Sequence, residues 1–158
     1  MKKTNLSDYD ASQVPSGNGR KIGVVAAEWN AEITDALLDG AVQTLLANGV
    51  AEDDLMVRRV PGTFELPTAA DWMLQAHQLD AVICIGCVIQ GETRHFEFIC
   101  QAVSQGLMNV SLKHERPVIF SVLTTDTFDQ AKQRSGGRHG NKGVEGAVTA
   151  LKMCALCE

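Results

Sequence analysis

The chain reads as a single α/β domain: a parallel sheet of four strands with helices on both faces, three layers in all. Two features predict this. Four short apolar runs at 20–27, 55–60, 81–89 and 117–123 alternate with stretches whose apolar residues recur at helical spacing. The third run, "AVICIGCVI" at 81–89, is almost unbroken apolar, as a central strand of a parallel sheet must be when both its faces are covered.

The elements follow in order. "RKIGVVAA" (20–27) is the first strand. After it, "NAEITDALLDGAVQTLLANG" repeats apolar residues at Ile33, Leu37, Ala41 and Leu45, one face of a helix with Asn30 as N-cap and Gly49 as stop. "LMVRRV" (55–60) is the second strand, and "VPGTFELP" turns into a helix reaching residue 77. The helix after 81–89 sets Phe96, Ile99, Cys100, Val103, Leu107 and Val110 along one side. "PVIFSVL" (117–123) is the fourth strand, and helices at 126–135 and 142–156 flank the glycine-rich "SGGRHGNKG". Residues 1–19 are polar and rich in Pro, Gly and Ser, so we expect a flexible N-terminal tail before a domain at 20–158.

Composition narrows the function. With 158 residues, 45% hydrophobic, the chain can bury one substantial core. Its 14 basic and 19 acidic residues give a net charge of −5, which argues against nucleic acid as a partner. No signal peptide fits the N-terminus and no apolar run is long enough to cross a membrane, so the expected location is the cytoplasm, away from membranes. Five cysteines form two CxxC pairs, yet Cys84 and Cys87 should face opposite sides of a strand, and Cys154 and Cys157 lie far outside zinc-ribbon spacing. Small buried hydrophobes are the simpler reading.

Parallel sheets of this kind bind ligands beyond the carboxyl ends of their strands. The first strand ends in Ala27-Glu28-Trp29-Asn30, the second in Pro61-Gly62-Thr63-Phe64-Glu65, the third in Gln90-Gly91-Glu92-Thr93-Arg94-His95. One edge thus gathers two aromatic rings, a carboxylate, a helix N-terminus and a histidine, and the opposite edge gathers no such set. Singly, Trp29 can staple a helix, Phe64 belong to the core and Glu65 cap its helix. Their convergence is what points to a site. The helix N-terminus at His95 offers N–H groups to an anion, with Gly91 permitting close approach and Thr93 adding a hydroxyl. "RSGGRHGNKG" brings Arg134, Arg138 and Lys142 among glycines but lacks the Walker A spacing, leaving a generic anion site or a helix–helix corner. The phosphate loop of a flavodoxin and the acidic cluster of a response regulator are both missing.

Trp29-Asn30, "VPGTFELP", "GCVIQGETRHFEF", "PVIFSVLTTDT" and "RSGGRHGNKGVEGA" occur in the order and spacing of the 6,7-dimethyl-8-ribityllumazine synthase family, which residues 22–153 resemble. The resemblance implies a flavodoxin-like strand order. It also implies condensation of 5-amino-6-(D-ribitylamino)uracil with 3,4-dihydroxy-2-butanone 4-phosphate, the penultimate step of riboflavin synthesis, with no metal or organic cofactor. By motif, Trp29 lies on the pyrimidine; Thr63, Phe64, Glu65, Cys87, Val88 and Ile89 contact the ring and ribityl chain, the last three through backbone groups. Phe120 completes the ring pocket. His95 transfers protons, and Glu92 (through its N–H), Thr93, Arg134 and Lys142 surround the phosphate. Phe120 and Arg134 are implied to come from a neighbouring subunit of a homopentamer, with twelve pentamers in an icosahedral shell as the larger form and riboflavin synthase as a candidate partner. A flavin- or lumazine-binding module without turnover, and a shell protein, are the competing readings.

Overall fold

The computed structural model describes residues 5–157. A four-stranded parallel sheet forms its middle layer: β1 (Ile22–Ala27), β2 (Leu55–Val60), β3 (Ala81–Ile89) and β4 (Val118–Thr125). Their spatial order β2-β1-β3-β4 is the start of the flavodoxin-like 2-1-3-4-5 order. β1 and β3 are central and buried on both faces, β3 as far as Cys87; β2, with no buried residue, and β4, buried at five of its eight positions, are the edges. The register sets Ile22 beside Leu55 and Ala81, and Ile89 beside Thr125, so the carboxyl ends of the strands finish along one edge.

Helices α1 (Ala31–Ala47) and α5 (Lys142–Leu156) cover one face, where Ile33, Leu37, Leu45, Ala150 and Leu151 meet Ile22, Val24 and Ile83. Helices α2 (Leu66–Ala76) and α3 (His95–His114) cover the other, packing Leu66, Ala70, Val103 and Leu107 against Val25, Val82 and Cys84. Cys84 and Cys87 fall in these two different clusters, as strand alternation requires. Burial pushes the Cys87 thiol up to about 11 and that of Cys84 further still, so both behave as hydrophobes.

α1 ends as its sequence implies. Gly49 at φ +98° lets its own N–H reach Leu46 O and that of Val50 reach Leu45 O, satisfying two terminal carbonyls.

Two expectations shift. The fourth helix is shorter than 126–135: α4 spans Phe128–Gln133, because the Thr127 side chain caps it and the chain turns away at Arg134. The glycine-rich stretch is a small antiparallel hairpin, β5 (Ser135–Gly137) with β6 (Gly140–Asn141). Within 1–19, residues 1–4 lie outside the described residues. From Asn5 on, the segment touches the domain: the Gly17 N–H donates to Asn48 O at 2.7 Å and Val14 packs against the core.

Candidate active site

Three strand ends are laced together by hydrogen bonds that outlast the sheet. After β1, the N–H of Glu28 donates to Val60 O at 2.7 Å and that of Trp29 to Pro61 O at 3.0 Å. Asn30 stands at the N-cap position, but its side chain does not cap the helix. It adopts a left-handed conformation, φ 59°, tolerated by asparagine, and its amide donates to Cys87 O at 3.0 Å. That carbonyl faces β1 beyond the last β1–β3 pair, Ala26–Ile85, so Asn30 supplies the donor the strand no longer does.

Trp29 is 68% exposed, its indole laid on Gly62. A Cβ at Gly62 would lie 2.6 Å from an indole carbon, so only glycine lets the ring seat there. Gly86 on β3 serves Thr63 likewise: a Cβ there would stand 2.6 Å from the Thr63 hydroxyl. Thr63 is buried, whereas Phe64 is 53% exposed and thus no core residue. Glu65 accepts the Gly62 N–H at 3.0 Å, which is the capping role open to it from sequence.

Beyond β3, the Gln90 N–H donates to Thr125 O at 2.8 Å. Since successive strand residues direct their peptide groups to alternate sides, Ile89 faces the opposite way, toward the gap above β1. Gly91 has open space around it, and Glu92, Thr93, Arg94 and His95 are all exposed. The Thr93 hydroxyl accepts the His95 N–H at 3.3 Å, which leaves its own proton free to donate.

The remaining residues stand apart from this cluster. Arg134 borders a cleft of about 450 Å³ at the carboxyl end of β4, with Thr124, Gln130 and Arg138. Its guanidinium makes no ion pair among the described residues. Phe120 and Lys142 line a second groove of about 330 Å³ on the outer edge of β4. Phe120 pairs with Cys84, well below the level of Ile89, and the Lys142 ammonium holds Glu145 at 3.0 Å. No hydrogen bond among the described residues joins either group to His95 or Trp29.

The opposite edge of the sheet is not empty. A cavity of about 810 Å³ lies there between Lys21, His77, Asp80, His114 and Arg116. Its imidazole at position 114 is taken up at 2.7 Å by Asp71, which also holds Lys113 at 2.8 Å. Nothing in the local sequence signalled this cavity, because its residues lie on three separate segments. It offers charge and two imidazoles but no large apolar ring, and the strand-end cluster remains the better ligand site.

Proteins of one known family resemble this chain over most of its length. Residues 19–158 match the family model described as 6,7-dimethyl-8-ribityllumazine synthase. The chain is 54% identical over 152 residues to a protein of that name from Porphyromonas gingivalis, covering 96% of this chain and 94% of the relative. It is 56% identical over 151 residues to one from Cytophaga hutchinsonii, with the same coverage of each. With one from Parabacteroides distasonis it shares 50% over 149 residues, 94% of this chain and 93% of the relative.

Proposed function

The chain belongs to the 6,7-dimethyl-8-ribityllumazine synthase family, and from that premise we propose how its strand-end cluster works. The protein condenses 5-amino-6-(D-ribitylamino)uracil with 3,4-dihydroxy-2-butanone 4-phosphate, releasing phosphate and water, in riboflavin biosynthesis. Trp29 stacks on the pyrimidine, and Thr63, Phe64 and Glu65 line the ring and ribityl chain. Asn30 already occupies the Cys87 carbonyl, so within the Cys87–Ile89 strand end the peptide groups of Ile89 are the ones left to read the ring edge.

The chemistry needs little from the protein beyond placement. The uracil's primary amine attacks the ketone, water leaves to form an imine, and elimination expels phosphate. The enol left behind tautomerises to a ketone, which the ribitylamine attacks, closing the ring with loss of a second water. Holding both substrates together supplies most of the rate. His95, at the head of α3, shuttles protons between these steps. The Glu92 N–H, the Thr93 hydroxyl, Arg134 and Lys142 take the phosphate, stabilising its charge as it leaves. The nucleophile belongs to the substrate, so no cofactor is needed.

Phe120, Lys142 and Arg134 serve a neighbouring subunit's pocket. In support, Phe120 is 38% exposed on a free sheet edge, remote from its own chain's cluster. The outer face of α3 presents Phe98, Met108 and Leu112, each more than half exposed, the kind of apolar patch that marks an interface. We assign the assembly as a homopentamer with shared sites, open to packing as twelve pentamers in an icosahedral shell. Riboflavin synthase, which consumes the product, is the candidate partner enzyme. Five free cysteines suit the reducing cytoplasm we assign to it.

The observation that carries this reading is the convergence on one sheet edge of the Trp29–Gly62 stack, the Asn30 tie to β3 and the exposed head of α3. The test is to mix the protein with both substrates and follow lumazine fluorescence and phosphate release together. Equal, saturable appearance of both above background is expected, with Arg134→Ala raising KM for the phosphate substrate. Background rates from folded protein would overturn the synthase reading in favour of a binding module.

A further inference from the structure

Arg134 and Lys142 stand at the base of one hairpin. The Lys142 N–H donates to the Arg134 carbonyl at 2.9 Å, and the His139 N–H to the Gln133 carbonyl at 2.9 Å. Between them three of the seven residues at 135–141 are glycine, with exposed Gly136 and Gly137 offering no side chain to pack. A segment so built has many conformations to lose, and its own bonds, from the Ser135 hydroxyl to Lys132 O and the Arg138 N–H to Gln133 Oε1 at 3.2 Å each, leave its second arm in need of further contacts.

The N-terminal segment supplies those contacts. The Leu6 N–H donates to His139 O at 3.4 Å. The Ser7 hydroxyl accepts the Asn141 N–H, and its Oγ lies 2.9 Å from the Asn141 carbonyl oxygen and 3.1 Å from Glu145 Oε1, either of which can accept its proton. The Asn5 side chain accepts the Ser7 N–H at 2.9 Å, folding the segment into a turn. Gly140, at φ +89°, lies so close under Ser7 and Asn5 that no Cβ would fit. The other oxygen of Glu145 holds the Lys142 ammonium at 3.0 Å. Ser7 therefore reaches Lys142 by two routes and Arg134 by one. One route runs through the Asn141 backbone to Lys142 and across to Arg134, the other through Glu145 to the Lys142 side chain.

We infer that Ser7 is a positioning residue of the phosphate site: residues 5–7 form a strap that clasps the 135–141 hairpin and fixes Arg134 and Lys142 for a phosphate ester. The inference rests on the assignment of those two cations to phosphate. Ser7 is not the keystone of the fold, because the Asn141 side chain independently caps α5, accepting the Gly143 N–H at 2.8 Å, and donates to Ala36 O at 3.0 Å. Removing the Ser7 hydroxyl should loosen the hairpin and leave α1 and α5 docked.

The test uses the full chain in its native assembly, with KM measured separately for each substrate. Ser7→Ala should raise KM for the phosphate substrate about two- to tenfold, the worth of one or two net hydrogen bonds, and weaken competitive inhibition by inorganic phosphate in parallel. KM for the pyrimidine should stay within about twofold, and Ser7→Thr, which keeps the hydroxyl, should restore the phosphate KM. An unchanged phosphate KM in Ser7→Ala, where Arg134→Ala raises it, overturns the strap and leaves the phosphate assignment standing. Equal rises in both KM values with a lowered Tm also overturn it, as the mark of general loosening. If Arg134→Ala itself leaves the phosphate KM unchanged, the phosphate assignment fails and the strap falls with it.

Discussion

Gly62→Ala tests the Trp29 stack with the smallest change available. The backbone there is extended, φ −138° and ψ 178°, so alanine meets no conformational obstacle. What it meets is the indole, 2.6 Å from the new Cβ, where an ordinary carbon–carbon contact needs about 3.5 Å. The ring must retreat by about 0.9 Å. Trp29 is 68% exposed, so it has room to do so. Its buried third amounts to about 80 Å², about 2 kcal/mol if expelled entirely, and a partial shift costs below about 1 kcal/mol. The loss to the ligand is larger in proportion, since stacking depends on ring placement. Forfeiting about 1 kcal/mol of a stacking interaction raises KM for the pyrimidine about fivefold. The phosphate substrate's KM should not move. The chain has two tryptophans, so emission read in a Trp72→Phe background reports Trp29 alone. An unchanged pyrimidine KM together with unchanged emission would refute the stack, and a rise confined to the phosphate substrate would refute its assignment to the pyrimidine.

Two further outcomes follow from other parts of the molecule. His95→Ala should lower kcat about 10²-fold or less and barely alter either KM, because placement carries most of the rate; single-turnover lumazine fluorescence measures this. Asp71→Asn should lower stability by about 1 kcal/mol, removing the carboxylate shared by Lys113 and His114. Those two partners hold the Asp71 carboxyl below its usual range, so its ionic contribution is present above about pH 4 and lost as pH falls through the depressed value. Denaturation across pH should therefore show wild type and variant apart at pH 5–7 and converging below pH 4; a gap that persists undiminished in acid contradicts the ion-pair origin.

Much of the fold was legible because burial on two faces writes itself as uninterrupted apolar sequence. The β1 and β3 runs are of that kind, and α1 announces its end with Gly49. The fourth strand runs two residues beyond its apolar stretch, since Thr124 and Thr125 pair with Val88 and Ile89 whatever their polarity. The hairpin at 135–141 was hidden because glycines carry no periodicity. Asn30 shows the deeper limit: its place at the head of α1 could be read, but its bond to Cys87 spans 57 residues and no local pattern encodes it. Ser7 is hidden for the same reason, a polar residue in a polar stretch whose partner is 134 residues away.

The division of the candidate residues into two groups has a mechanical consequence. Trp29, the Thr63–Glu65 turn and His95 sit where β1, β2 and β3 end, whereas Phe120 and Lys142 occupy the outer flank of β4, a different face of the same chain. A pocket needing both groups cannot be closed by one copy unless β4 slides past β3 by several residues, which would break eight register pairs. Contribution from a second copy costs no such rearrangement. On the shared-site proposal, catalysis then depends on assembly, and dilution that separates subunits should abolish turnover while leaving each chain folded. It also gives the Ser7 strap a second meaning. On that same proposal, by fixing Arg134 at the carboxyl end of β4 and Lys142 on its outer flank, the N-terminal segment would set the geometry of the adjacent subunit's phosphate site and not that of its own.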